Sequence, residues 1–196
     1  MSLSVYHFIY CLLYPIVHLL YPHRFHHRER VPESGPLMIC ASHSNLVDPL
    51  LLAFMLGWRR PVRFMAKKEL MDMPILGTIL RKAGTFGVDR GHADMGAIRA
   101  SMDVLREKGN LGIFPEGTRL QETGEGKHGA IMLAARSGAQ VLPVYIPRKK
   151  RLFRRLDIVV GEPYTLERTL RGKEAYEEKA EELMGRIEAL KEGCGA

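Results

Sequence analysis

Residues 38–49 read MICASHSNLVDP, an apolar run followed by a polar turn and then by a Pro-led helix start. The run Leu37–Ala41 predicts a buried strand, and Pro49–Leu56 predicts a helix. His43 follows the strand and Asp48 lies five residues further on. A chain that leaves a strand and turns into a helix can bring two such side chains within hydrogen-bond distance. The stretch therefore predicts a strand–turn–helix unit with a His–Asp pair at the strand's end.

Two interpretations of this pair stay open on spacing alone. A carboxylate bonded to an imidazole fixes its tautomer and stabilises the imidazolium, which is the His–Asp half of a catalytic triad without its serine. Alternatively, Asp48 before Pro49 is an N-cap followed by Pro at the first helical position. In that case His43 is an ordinary, partly buried histidine.

Outward from this unit, the chain alternates short apolar runs with amphipathic segments. Further strands are predicted at Val62–Met65, Thr85–Val88, Leu111–Phe114, Val141–Ile146 and Asp157–Val160. Further helices are predicted at Pro74–Lys82, Ala93–Lys108, Gly129–Ser137 and Lys173–Lys191. Strands separated by helical segments favour an α/β sheet covered by helices.

The composition fits one domain that has an anionic partner. The chain has 196 residues, of which 46% are hydrophobic, and its formal net charge is +7. These values exclude a collagen, a coiled coil and a largely disordered chain. The positive charge favours nucleic acid, a membrane surface or a phosphorylated substrate as partner. Its three cysteines lie far apart, so no disulfide framework or zinc site is predicted and a reducing compartment is expected.

The N-terminal segment bears on membrane attachment. The segment from Leu3 to Tyr21 carries no formal charge. Its length barely reaches the ~20 residues that a bilayer span needs. The following cluster, His23 to Arg30, suits anionic lipid headgroups. We expect residues 1–30 to be an anchor that enters one leaflet or lies in the interface, and residues 31–196 to form a domain on the cytoplasmic side. A helix packed on the domain itself is the alternative.

Three later segments carry further candidate binding residues. A Gly-containing turn ending in Thr118 and Arg119 follows one strand, and Arg90 follows another; both could bind a phosphate. Plain surface turns are the alternative for each. Pro143 lies in the apolar strand Val141–Ile146, where a proline indicates a sheet edge or an irregularity, as at the rim of a site.

Taken together, four segments resemble the glycerolipid acyltransferases, most of all the 1-acylglycerol-3-phosphate (lysophosphatidic acid) acyltransferases. In chain order these segments are His43-x-x-x-x-Asp48, Gly84 to Arg90, FPEGTR at 114–119 and VLPV at 141–144. The resemblance covers Pro36 to Pro163. It implies a mixed α/β sheet covered by helices, together with an N-terminal apolar anchoring helix.

The resemblance also implies a reaction. A fatty acyl group would pass from acyl-CoA or acyl carrier protein to the 2-hydroxyl of 1-acylglycerol 3-phosphate, giving phosphatidic acid. His43 would be the general base, Asp48 would orient it, and no acyl-enzyme is expected. Another lysophospholipid or glycerol 3-phosphate could be the acceptor instead. A non-catalytic module that binds anionic lipid is an alternative of a different class.

Residues that match the family's acceptor-binding blocks are implied to hold the substrate. They are Arg90, Glu116, Gly117, Thr118 and Arg119. Lys67 resembles a further basic position, although Lys68 could serve instead, and Pro143 would shape the site wall. The resemblance implies no cofactor beyond the thioester co-substrate, and no metal.

A basic run, Arg148 to Arg155, has six Lys or Arg residues in eight and lies between two predicted strands. It is therefore predicted to be the tip of a hairpin. A nucleic-acid patch, a solvated turn and a contact with anionic headgroups through Leu152 and Phe153 are all open. We expect a lipid bilayer as partner and no nucleic acid.

Overall fold

The computed structural model describes residues 2–88, 94–115 and 125–195. The strands in these ranges are His23–His26 (β1), Leu37–Ala41 (β2), Val62–Lys67 (β3), Phe86–Val88 (β4), Asn110–Ile113 (β5), Gln140–Tyr145 (β6) and Leu156–Val160 (β7). The α-helices are Leu3–Leu20 (α1), Asp48–Leu56 (α2), Lys68–Asp72 (α3), Pro74–Lys82 (α4), Met95–Arg106 (α5), Glu125–Ser137 (α6) and Lys173–Ala189 (α7). Short 3-10 helices cover Arg28–Arg30 and Leu190–Gly195.

The strands form one sheet in the order β1-β7-β6-β2-β5-β3-β4. Every pair of neighbours is parallel except β6 and β7, which are antiparallel. The predicted α/β architecture with a mixed sheet is confirmed. Because β2, β3, β4 and β5 run in the same direction, the segments that follow them all begin at one edge of the sheet. We call this edge the carboxyl edge.

The core lies on both faces of β2, whose five residues are all buried. Alternate side chains of a strand point to opposite faces. Met38 and Cys40 pack with residues of α5, α6 and α7, whereas Leu37 and Ile39 pack with α2 and the inner side of α1. A strand buried on both faces reads as a continuous apolar run, and β2 does.

Most predicted elements are present, with ends displaced by a few residues. Helix α5 begins later than predicted because Asp94 caps it, accepting a hydrogen bond from the Ala97 N–H at 3.0 Å. Helix α6 begins at Glu125, four residues before the predicted start at Gly129. The short helix α3 is absent from the sequence prediction. It occupies only five residues, too few for a periodic pattern.

The basic flank of the N-terminal segment begins with a strand that the sequence did not predict. His23–His26 forms the edge strand β1, parallel to β7. Contact of this flank with lipid headgroups stays a prediction. His23 is buried and its Nδ1 bonds to the Tyr21 carbonyl at 3.0 Å. Strand pairing with β7, a partner more than 100 residues away, is a tertiary effect that local charge does not report. The division at residue 30 itself stays a prediction.

Helix α1 has one face on the domain and one face in solvent. The inner face packs through Tyr6, Tyr10, Leu13 and Val17, and the Tyr6 hydroxyl accepts a bond from the Val62 N–H at 3.4 Å. The outer face carries exposed apolar residues, which are Leu3, Phe8, Leu12, Ile16 and Leu19. Within the described ranges this is the helix long and apolar enough to cross a bilayer by length and composition.

Candidate active site

The His–Asp pair predicted from the sequence is formed at the carboxyl edge of β2. His43 Nδ1 lies 3.0 Å from Asp48 Oδ2. The Asp48 side chain is fully buried, whereas the His43 side chain is 25% exposed. A carboxylate only accepts, so Nδ1 carries the hydrogen and Nε2 is left with its lone pair. That tautomer is the one required of a general base that opens to solvent.

Asp48 is held by the turn before it and does not cap its helix. Its Oδ2 atom also accepts the backbone N–H groups of Ser44 and Asn45, each at 2.8 Å. The N-cap of α2 is Val47, with no side-chain cap bond, so the interpretation of Asp48 as an N-cap is wrong. Burial by itself raises the pKa of the Asp48 carboxyl, but the bonds from His43, Lys150, Ser44 and Asn45 outweigh burial and lower it. The group is therefore a carboxylate at neutral pH.

Aromatic rings support His43 from the side of β5. The Phe114 ring stacks on the imidazole with centroids 4.3 Å apart, and Phe64 stacks on Phe114 at 6.2 Å. The Phe64 ring occupies the space that a Cβ at Gly112 would need, so a glycine is required there for this stack. The base is thus fixed by a hydrogen bond at one edge of its ring and by apolar contact on one face.

The serines beside His43 are bonded elsewhere. Ser42 Oγ donates to the Ile146 carbonyl and accepts the Ile146 N–H, both at 2.9 Å. Ser44 Oγ donates to the Arg148 carbonyl at 2.9 Å. Both hydroxyls therefore join the turn after β2 to the chain that leaves β6. Neither is placed as a nucleophile on His43.

Lys150 is a site residue that the sequence analysis missed. Its side chain is only 1% exposed, and its Nζ lies 2.8 Å from Asp48 Oδ1. The same ammonium donates to Ser44 Oγ and to the Pro147 carbonyl, each at 2.7 Å. In the sequence Lys150 lies in the basic run Arg148 to Arg155. Nothing in that run distinguishes the lysine that is buried from its exposed neighbours. The hairpin predicted for this run is confirmed by the antiparallel pairing of β6 and β7.

Other predicted binding residues meet at the same edge or fall outside the described chain. Lys67 is the last residue of β3, half-buried, and Lys68 beside it is exposed at the start of α3. The described residues end at Val88 after β4 and at Pro115 after β5. They begin again at Asp94 and at Glu125. Five predicted acceptor-binding residues lie outside the described residues. They are Arg90, Glu116, Gly117, Thr118 and Arg119.

Pro143 is in an interior strand at an interruption of the sheet. Strand β6 lies between β2 and β7, so the edge-strand alternative is wrong. On the β7 side, the Val141 backbone pairs with Tyr164 and the Pro143 carbonyl accepts the Gly161 N–H at 2.9 Å. The missing N–H of Pro143 faces this irregular side, which is where a sheet tolerates a proline. A role for Pro143 in the site wall stays a prediction.

Within the described ranges, no group of three or more His, Cys, Asp or Glu side chains could hold a metal ion. The chemistry available to the described part of the site is that of an oriented imidazole base. It lies beside an apolar ring, with cationic side chains at the same edge of the sheet.

The chain is similar in sequence to curated acyltransferases. The chain is 29% identical over 182 residues to the 1-acyl-sn-glycerol-3-phosphate acyltransferase of Bacillus subtilis, covering 85% of this chain and 90% of that one. It is 34% identical over 118 residues to the lyso-ornithine lipid O-acyltransferase of Pseudomonas aeruginosa, covering 59% of this chain and 44% of that one.

The fold matches a solved structure and the sequence matches a family model. The crystal structure of the 1-acyl-sn-glycerophosphate (LPA) acyltransferase from Thermotoga maritima superposes with a TM-score of 0.69 at 22% identity, covering 99% of this chain and 80% of that one. The family model described as Acyltransferase matches residues 23–147, which include His43, Asp48 and the FPEGTR run. The chain therefore belongs to the acyltransferase family.

Proposed function

We propose that this acyltransferase moves a fatty acyl group from a thioester to the 2-hydroxyl of 1-acylglycerol 3-phosphate, giving phosphatidic acid. The observation that carries the proposal is the buried Asp48 carboxylate at the carboxyl edge, whose Oδ2 accepts bonds from His43 and from the Ser44 and Asn45 backbone. The printed names of the Bacillus subtilis and Thermotoga maritima relatives support the choice of acceptor.

The reaction follows from the orientation of the imidazole. His43 Nε2 takes the proton from the acceptor hydroxyl while the oxygen attacks the thioester carbonyl. The Asp48 carboxylate stabilises the imidazolium that forms. The new C–O bond forms, the C–S bond breaks, and the proton on His43 passes to the leaving sulfur. The hydroxyls of Ser42 and Ser44 are bonded to the hairpin, so neither is the nucleophile, and we propose a direct transfer without an acyl-enzyme.

The acceptor phosphate is assigned to the cationic residues that follow the parallel strands. Arg90 and Arg119 would bind it with their planar forks, together with Glu116, Gly117 and Thr118 of the same block. Lys67, at the end of β3, adds a further cation at this edge. No cofactor is required in this scheme, because the thioester itself supplies the activated acyl group.

The membrane is the second part of the proposal. The exposed outer face of α1 would lie in the interface, and the hairpin tip Leu152-Phe153 would insert beside it. The Phe153 N–H donates to the Leu20 carbonyl at 2.7 Å, so the tip lies against the C-terminal end of α1. Arg151, Arg154 and Arg155 are exposed around the tip, where each cation adds ~1 kcal/mol of attraction to anionic lipid. We place the protein on the cytoplasmic face of the cell membrane as a monotopic or peripheral enzyme.

The backbone of the tip supports the same assignment. Phe153 has a φ of 59° and is 65% exposed. A bulky residue in the left-handed region costs roughly 1–2 kcal/mol, and an exposed phenylalanine gains little from the protein to offset that cost. Insertion into lipid would offset it.

A second acceptor is favoured by one observation. The Pseudomonas aeruginosa relative is named as an acyltransferase of a lyso-ornithine lipid, so the family match also covers an acceptor without the glycerol phosphate. Acylation of another lysophospholipid or of glycerol 3-phosphate would use His43 as the same general base and would bind the acceptor at the same carboxyl edge.

One assay tests these proposals together. The purified protein is given acyl-CoA or acyl carrier protein thioesters and a panel of acceptors: 1-acylglycerol 3-phosphate, glycerol 3-phosphate, lysophosphatidylcholine and a lyso-ornithine lipid. We expect phosphatidic acid as the main product. Faster acylation of another acceptor overturns the assignment of substrate. Lipid binding with no transfer to any acceptor overturns the whole proposal.

A further inference from the structure

We propose that Lys150 is a positioning residue of the reaction: through Asp48, its buried ammonium holds His43 in the orientation and charge state of the base. This inference rests on the proposed function, since it assigns a part to a residue behind the same dyad. Lys150 lies on the hairpin, more than 100 residues after His43, and would not itself contact substrate.

The burial of Lys150 is the first reason. Its side chain is 1% exposed, whereas the basic residues beside it, Arg148, Lys149 and Arg151, are exposed. A lysine in this run could keep its ammonium in water at no cost. Removing an ammonium from water costs several kcal/mol unless partners replace the solvent. The position is therefore one at which the fold holds a cation in place.

The partners of Lys150 are the second reason. Its Nζ donates to Ser44 Oγ and to the Pro147 carbonyl, each at 2.7 Å, and forms an ion pair with Asp48 Oδ1 at 2.8 Å. Asp48 Oδ2 already accepts three bonds, and Oδ1 faces Lys150. Three bonds on Oδ2 and the ammonium against Oδ1 together orient the carboxylate plane. The orientation of this carboxylate sets the direction of the hydrogen bond from His43 Nδ1. That bond in turn sets where the Nε2 lone pair points.

Charge balance is the third reason. The imidazole of His43 is faced by Asp48 from α2, by the uncharged Phe114 ring after β5, and through Asp48 by Lys150 from the hairpin. With neutral His43, the Asp48–Lys150 pair carries no net charge. Without Lys150, a bare buried carboxylate would favour the imidazolium, which is unable to accept a proton. The ammonium thus offsets the Asp48 charge that would otherwise favour protonation of His43.

The test combines Lys150→Met with Asp48→Asn, assayed on 1-acylglycerol 3-phosphate with acyl-CoA. We expect Lys150→Met to lower kcat by about 10–100-fold, as for lost orientation of a general base, with the acceptor KM changed less than about threefold. The acid limb of the kcat profile should move to higher pH by on the order of one unit. Lys173→Met is the matched control, since it removes the same charge from an exposed ion pair; it should leave kcat and the profile unchanged.

The double variant separates positioning from a structural role. If Lys150 acts through Asp48, Lys150→Met added to Asp48→Asn should lower kcat by less than about threefold further, because coupled residues are not additive. Multiplied losses, an unmoved acid limb or a wild-type kcat in Lys150→Met overturn the inference. A lowered Tm with a wild-type kcat does so too, and shows that Lys150 only pins the hairpin.

Two further variants keep the outcome interpretable. If Lys150→Met does not fold, Lys150→Gln takes its place, since the amide still donates to Ser44 and Pro147 but carries no charge. His43→Ala reports on the proposed function itself. An active His43→Ala enzyme overturns the dyad as the catalytic site, whereas an inactive His43→Ala beside an active Lys150→Met overturns only the role of Lys150.

Discussion

Two His–Asp pairs lie in the described part of the chain, and the same hairpin reaches both. His43 and Asp48 are 3.0 Å apart and Lys150 lies behind the carboxylate. On the opposite side of the hairpin, His26 Nε2 and Asp157 Oδ1 are 2.9 Å apart across β1 and β7, with the Arg155 guanidinium 3.3 Å from the other oxygen. By distance and residue type the two arrangements are nearly equivalent.

Their surroundings differ. Asp48 is fully buried and receives two backbone N–H bonds besides His43. Asp157 is 18% exposed and lies at the start of β7, which pairs with the edge strand β1. The pKa of Asp157 is lowered chiefly by the His26 bond, whereas that of Asp48 is lowered against a burial cost that several donors must overcome. A His–Asp hydrogen bond alone therefore does not identify a base. Full burial of Asp48 and its two backbone donors make His43 the candidate base of the two.

The largest expected difference is in turnover. His43→Ala should lower kcat by about 10²–10⁴-fold, the usual contribution of a positioned general base, whereas His26→Ala should stay within about twofold. Rates with 1-acylglycerol 3-phosphate and acyl-CoA, alongside circular dichroism of both variants, provide the measurement. Equal effects of the two substitutions would show that the comparison assigns catalysis to the wrong feature.

Stability should separate the two carboxylates next. Asp48→Asn leaves the Lys150 ammonium buried without its counter-charge, so the free energy of unfolding should fall by about 3–5 kcal/mol. Asp157→Asn breaks a pair close to the surface and should cost about 0.2–1 kcal/mol. Urea unfolding of both variants measures the difference. A fall for Asp48→Asn as small as for Asp157→Asn would contradict the burial argument.

Lowering the pH should reduce the contribution of both His–Asp pairs to stability, because the pKa shifts of the two carboxyls have the same direction. Both carboxyls have a pKa below the ordinary 3.8 in the folded protein, so the unfolded chain binds their protons first. Their stabilisation is complete above about pH 4–5 and is lost as pH falls through the folded pKa values. The free energy of unfolding of wild type should therefore fall more steeply between pH 5 and pH 3 than that of either Asp→Asn variant. Unchanged slopes in both variants would show that neither carboxyl is linked to folding.

The smallest effect concerns the hairpin tip between the two pairs. Phe153→Gly removes the left-handed strain at φ 59°, so the free energy of unfolding should rise by roughly 1 kcal/mol while binding to vesicles weakens. Sedimentation with vesicles of phosphatidylglycerol and phosphatidylcholine measures binding, and urea unfolding measures stability. Unchanged vesicle binding would mean that the tip is a solvated turn.

Prediction from the sequence was best where local pattern and tertiary environment agree. Strand Leu37–Ala41 and helix Pro74–Lys82 have the predicted bounds, because an unbroken apolar run and a Pro-led amphipathic stretch each point to one structure. Strand β1 was missed because its residues are His, Arg and Phe, and only pairing with β7 makes them a strand. Helix α1 is apolar around most of its circumference, so periodicity could not tell which side contacts the domain.

The sequence by itself determined the His43–Asp48 pair, the order of the candidate binding segments and the α/β class, because these depend on contacts within a few residues or on strand and helix periodicity. Tertiary structure alone decided which face of α1 is exposed and that His23–His26 completes the sheet. It also turned Lys150, one of six basic residues among the eight from Arg148 to Arg155, inward onto Asp48. The physical reason is distance along the chain: Asp48 and Lys150 are 102 residues apart, and burying their charges becomes favourable only when folding brings the two together.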